Sequence, residues 1–142
     1  MSLRVLRGVL WMGLAALVPA GAAALWHPRR PHWISDRAVE EIDLATVRRW
    51  SGGVFWIDAR PGAMYHREHI PEARHLPVEE WEERIDRVLD AWHREIPTVV
   101  YCAGGDCDAS REVALRLKRD AQMDNVFVLK GGWEAWKNTQ GE

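Results

Sequence analysis

Cys102 and Cys107 are the only cysteines in the 142-residue chain, and they share one segment, Tyr101-Cys-Ala-Gly-Gly-Asp-Cys-Asp-Ala-Ser-Arg111. A thiolate is a nucleophile that can hold a second sulfur or close a disulfide. The spacing C-x4-C is neither that of common zinc sites nor that of thioredoxin-type dithiols, and two cysteines are too few to staple a scaffold of this size. Around them, Thr98–Tyr101 reads as a buried strand and Ala109–Arg119 as an amphipathic helix. The glycines between let several N–H groups turn inward, and the helix start adds free N–H groups and the positive end of its dipole. Ala103, Gly104, Gly105, Asp106 and Cys107 are therefore expected to form an anion cradle for Cys102. Such a setting lowers a thiol pKa from about 8.5 into the range of roughly 3.5–7.5. Asp106 and Asp108 are expected to cap the helix. Against this stands an inert buried thiol at a strand end.

Cys107 has two readings. It could resolve an oxidised or sulfur-carrying Cys102 by forming a disulfide, since five residues can bring Cα atoms within the required range of about 4.4–6.8 Å. It could equally be a small packing residue at the helix start.

The elements that must position these residues follow from hydrophobic pattern. Asp43 can cap a helix Leu44–Trp50 stopped by Gly52-Gly53. Val54–Ile57, Thr98–Tyr101 and Val126–Leu129 are short apolar runs, the pattern of strands buried on both faces. Ala63–His69 is a short helix ended by Pro71. Val78–His93 has apolar residues at helical spacing and charges on its other face. Gly131-Gly132 lead into a last short helix carrying Trp133 and Trp136. Strands alternating with helices imply a parallel sheet covered on both faces, with sites at the carboxyl ends of strands. Asp58 and Cys102 both fall there.

Composition excludes some alternatives. The net charge is −2, and from His27 onward 17 Lys and Arg face 21 Asp and Glu, so nucleic acid is not an expected partner. His66 and His69 lack an evident third ligand, so no metal site is expected, nor a cofactor. Gly8–Trp26 holds 19 uncharged residues between Arg4 and Arg7 and Arg29 and Arg30. As a helix it would be roughly 28 Å long, about a bilayer's hydrocarbon thickness. It reads as a signal peptide or a membrane anchor over 1–26, followed by a linker over 27–34 and a domain over 35–142. Either reading brings the domain to a membrane or across it.

Three motifs make residues 35–138 resemble the rhodanese-like superfamily. They are Ile57-Asp58-Ala59-Arg60 with Tyr65 and His69-Ile70-Pro71; Val99-Val100-Tyr101-Cys102 with its Gly-rich loop; and Asn125 through Lys130-Gly131-Gly132-Trp133-Glu134-Ala135-Trp136. The resemblance implies a three-layer α/β domain with a five-stranded parallel sheet flanked by helices, here preceded by a hydrophobic helix. It implies that Cys102 accepts a sulfane sulfur from a small donor, holds it as a persulfide, and passes it to cyanide, a small thiol or a partner protein's thiol. Asp58, Arg60 and Ser110 would support the loop.

The chain also departs from the family pattern. Glu68 and Glu72 stand where turn glycines are usual, so that turn is expected to take other dihedrals. Ser110 follows Cys102 by eight residues, about two more than usual. No Arg or Lys lies between them, which counts against thiosulfate as donor, and Asp108 in place of an arginine disfavours phosphatase chemistry. Two other functions stay open: a thiol–disulfide module using both cysteines, and a non-enzymatic binding domain at a membrane.

Overall fold

The computed structural model describes residues 39–105 and 107–140. The signal or anchor segment, the linker and Asp106 lie outside the described residues. Among the described residues no helix is long and apolar enough to cross a membrane.

Five strands, β1 (Glu41–Ile42), β2 (Phe55–Asp58), β3 (Arg74–His75), β4 (Thr98–Tyr101) and β5 (Val126–Leu129), form one sheet in the order β1-β5-β4-β2-β3. Every pairing is parallel. The helices are α1 (Leu44–Val47), α2 (Gly62–Arg67), α3 (Trp81–Ala91), α4 (Asp108–Arg119) and α5 (Gly132–Asn138). Alternation along the central strand β4 sorts the core into two layers. Val100 joins Ile57, Trp81, Val88, Val113 and Leu117 on one face. Val99 and Tyr101 join Ile42, Leu44, Val47 and Leu129 on the other, where Trp50, Trp56, Trp133 and Trp136 pack from outside.

The three apolar runs became strands, with β2 shifted one residue onward to include Asp58. The strands β1 and β3 carry no apolar run and exist only through pairing with β5 and β2. The expected helix Leu44–Trp50 closes at Val47. The expected helix Val78–His93 divides: Val78–Glu80 is a 3-10 turn after Pro77, and α3 stops at Ala91.

The turn before β3 corrects one expectation. Glu72 keeps the left-handed backbone that glycine would supply, with φ of 65°. A side chain there costs roughly 1–2 kcal/mol. Glu72→Gly should therefore raise stability by about 1 kcal/mol once glycine's added unfolded-state freedom is subtracted, measured by urea denaturation. No change or a loss would contradict this.

Candidate functional site

Cys102 follows the last residue of β4 and is only 3% exposed. The loop after it is held from one side by α5. The N–H of Trp133 donates to the Cys102 carbonyl at 2.7 Å, and that of Glu134 to the Ala103 carbonyl at 3.2 Å. Among the described residues nothing accepts a hydrogen bond from the N–H of Ala103, Gly104 or Gly105. The Cys102 and Ala103 carbonyls are thus satisfied by α5 while these donors have no partner among the described residues, the polarity needed to receive an anion.

Cys107 is the N-cap residue of α4, with extended backbone at φ −101° and ψ 109°. Asp108 instead begins the helix, where its charge still favours the dipole, and makes no capping bond. The expectation that Asp108 caps α4 is therefore corrected: the turn at Gly105, with φ of 65°, delivers the chain to N-cap geometry one residue earlier. Ser110, 2% exposed, donates from Oγ to the Cys107 carbonyl at 3.1 Å and ties the end of the loop to the helix. Cys102 and Cys107 are paired, with Cα atoms 6.3 Å apart.

Behind the loop sits a buried ion pair. Arg60 donates from Nη2 to Asp58 Oδ2 at 2.6 Å and from Nε to Oδ1 at 3.0 Å, and its backbone N–H reaches Oδ1 at 2.9 Å. Nη2 also donates to the Glu68 carbonyl at 2.7 Å, joining β2 to the end of α2. The guanidinium lies 4.5 Å from the Trp133 ring centre and 5.4 Å from that of Tyr101. Burial alone would pull the Arg60 pKa down, but the hydrogen bond and charge of Asp58 hold it raised.

Tyr101 is fully buried and accepts a hydrogen bond from the Ile70 N–H at 3.1 Å. Burial, and after it the charge of Asp58, push its phenol far above the ordinary value. Because the folded pKa is raised, the neutral phenol stabilises the fold fully below about pH 10. That contribution is lost as pH rises toward the folded value, since the unfolded chain releases the proton first. Stability should fall above about pH 10 by up to about 1.4 kcal/mol per pH unit, and Tyr101→Phe should remove that slope. Urea midpoints across alkaline pH test this; identical slopes in both chains would refute it.

Two hollows flank the loop. One, of about 390 Å³, adjoins Ala103 and is lined by Arg60, by Met64, Arg67 and Glu68 at α2 and its end, and by Trp133, Glu134 and Lys137 of α5. The other, of about 250 Å³, adjoins Gly105, Cys107 and Ser110 and is lined by Arg111 and Lys130. Cations thus reach the loop from other elements, although none lies between Cys102 and Ser110. Sequence reasoning missed them because it looked for charge only within the loop. The Trp133 cover over Arg60 was legible as a motif residue but not as a contact. His69 and His75 stack on Tyr65 instead, with ring centres 4.0 and 4.5 Å from its own, and His66 meets Tyr65 edge-on at 5.7 Å. Among the described residues no cluster suited to a metal ion occurs.

Comparison with known proteins agrees with this architecture. The rhodanese-like domain model matches residues 42–139. A protein described as the HTH-type transcriptional regulator Rv0324 of Mycobacterium tuberculosis is 34% identical over 87% of this chain and 49% of its own length. The chain therefore spans about half of that relative. The thiosulfate sulfurtransferase GlpE of Coxiella burnetii is 35% identical over 56% of this chain and 68% of its own. Among solved structures, the BH2092 protein of Bacillus halodurans superposes with a TM-score of 0.54 at 25% identity, covering 78% of this chain and 80% of that one. With a family model matched over well more than half of its residues, the chain belongs to the rhodanese-like domain family.

Proposed function

We propose that the chain is a sulfurtransferase that carries a sulfane sulfur as a persulfide on Cys102. The observation that carries this reading is the polarity of the loop after the central strand: the Cys102 and Ala103 carbonyls are tied to α5, and the N–H groups of residues 103–105 have no partner among the described residues. The Cys102 thiolate attacks the outer sulfur of a donor, whose remainder departs as an anion. The terminal persulfide sulfur then carries the charge, and the free N–H groups stabilise it. A thiophilic acceptor such as cyanide or a thiol attacks that outer sulfur and restores the Cys102 thiolate.

The relative named as a thiosulfate sulfurtransferase supports an anionic donor. Arg67 and Lys137 beside Ala103 offer the charge that the loop itself lacks. Lys137 lies 3.4 Å from Glu68 in an exposed pair, which weakens its field only modestly. The pairing of Cys102 with Cys107 favours a second reading, a thiol–disulfide module. The apolar length of Gly8–Trp26 supports placing either activity at a membrane or beyond it. Fractionation and N-terminal sequencing of the natural protein test that placement, and an intact N-terminus on a protein found only in the soluble fraction would reject it.

Mass spectrometry tests the sulfur-carrying role. Reduced Cys107→Ser chain, freed of reductant and incubated with polysulfide or thiosulfate, should gain about 32 Da that cyanide removes. The gain should be absent in Cys102→Ser. An equal gain in both variants, or none in either, would reject Cys102 as the carrier.

A further inference from the structure

The two cysteines are placed for a reaction that transfer to an outside acceptor does not need. We propose that Cys107 discharges the Cys102 persulfide internally, releasing its outer sulfur as hydrosulfide and leaving the Cys102–Cys107 disulfide. This inference rests on the persulfide reading above and adds a second fate for the bound sulfur.

A persulfide has two sulfurs open to attack. An acceptor that takes the outer one receives it and frees Cys102. A thiolate that takes the inner one, Cys102 Sγ, expels the outer sulfur instead. Access separates the two routes, because Cys102 is only 3% exposed and its inner sulfur is shielded from bulky thiols in solution. Cys107 alone is in place: the loop turns back at Gly105, and the two Cα atoms stand 6.3 Å apart, inside the disulfide range of about 4.4–6.8 Å.

The position of Cys107 also suits a nucleophile. It caps the twelve-residue helix α4, where no side chain accepts a capping bond, and a thiolate at that site meets free N–H groups and the positive end of the dipole. Arg111 and Lys130 line the hollow beside it, each shared with a carboxylate, Glu41 and Asp43 respectively. Their charge favours both the attacking thiolate and the departing anion.

The step balances without an outside oxidant. Cys107 gives up its proton, and its sulfur bonds to Cys102 Sγ as the bond from Sγ to the outer sulfur breaks. The outer sulfur leaves with that electron pair and the proton, as hydrosulfide. The two cysteine sulfurs are oxidised to a disulfide, and the sulfane sulfur is reduced to sulfide. A dithiol reductant is then required to reopen the pair for another turnover.

The test uses a single turnover of the full chain under anaerobic conditions. Reduced wild type, Cys107→Ser and Cys107→Ala are loaded with polysulfide, freed of excess donor, and followed by mass and by alkylation-trapped hydrosulfide. Wild type should pass to a form about 2 Da lighter than the reduced chain, releasing close to one hydrosulfide per chain. Both Cys107 variants should keep the 32 Da adduct at least about tenfold longer and release hydrosulfide only when a thiol is added. Wild type that holds its persulfide as long as either variant would overturn the proposal while leaving the sulfur-carrying role intact. Failure of both variants to take up sulfur on Cys102 would overturn that role, and this inference with it.

Discussion

Arg60→Met should destabilise the domain by about 3–5 kcal/mol, because it strands the Asp58 carboxylate in the core. Asp58 is fully buried and Arg60 is 4% exposed, so in the folded chain the carboxylate depends on this partner rather than on solvent. The guanidinium satisfies both carboxylate oxygens, binds the Glu68 carbonyl and packs against the rings of Trp133 and Tyr101. Methionine keeps much of the volume but none of the side-chain donors, leaving Asp58 only the backbone N–H of residue 60. The size of the effect comes from the orphaned charge, whereas the net worth of the intact pair is small. The double substitution Asp58→Leu with Arg60→Met should therefore cost clearly less than the sum of the two single ones. Urea denaturation of the four chains measures this as a cycle. Additive losses would mean that the pair acts only as packing. A smaller secondary effect is expected on sulfur loading, since Arg60 borders the hollow over Ala103.

That pair shows what residue types and spacing could and could not reveal. Asp58 stood out as a polar residue after an apolar strand and Arg60 through the resemblance to the rhodanese-like motif, and their pairing is a short-range matter of two residues along one chain. Cys102 was legible for the same reason, as a nucleophile after a buried run and before glycines. The strands β1 and β3 were not, because two residues carry no periodicity and their identity lies in register with neighbours distant in sequence. The cations Arg67, Lys137, Arg111 and Lys130 were missed likewise, since they arrive from α2, α4, α5 and the end of β5. Glu72 was misjudged in another way: local preference disfavours its backbone, but the packing of Ile70 and Ala73 into the core overrides it. Local chemistry was readable; what the folded sheet brings together was not.

Gly132→Ala should be the most damaging small substitution at the site, with an expected cost of about 2–5 kcal/mol. A Cβ at Gly132 would lie 2.5 Å from the Cys102 carbonyl oxygen and 3.1 Å from the Gly104 nitrogen, both backbone atoms that cannot rotate away. The residue's φ of 52° adds left-handed strain. The clash falls where α5 meets the loop, and relieving it must lengthen the hydrogen bonds from Trp133 to Cys102 and from Glu134 to Ala103. Those bonds occupy the Cys102 and Ala103 carbonyls and hold the loop against α5. Loss of persulfide uptake should therefore exceed what partial unfolding explains, and uptake should stay depressed at temperatures where circular dichroism shows the variant fully folded. Gly52→Ala supplies the control, since a Cβ there meets nothing within 4 Å and the backbone is not left-handed. It should leave both stability and uptake unchanged. A folded Gly132→Ala chain that loads sulfur at the wild-type rate would show that contact with α5 does not shape the cradle.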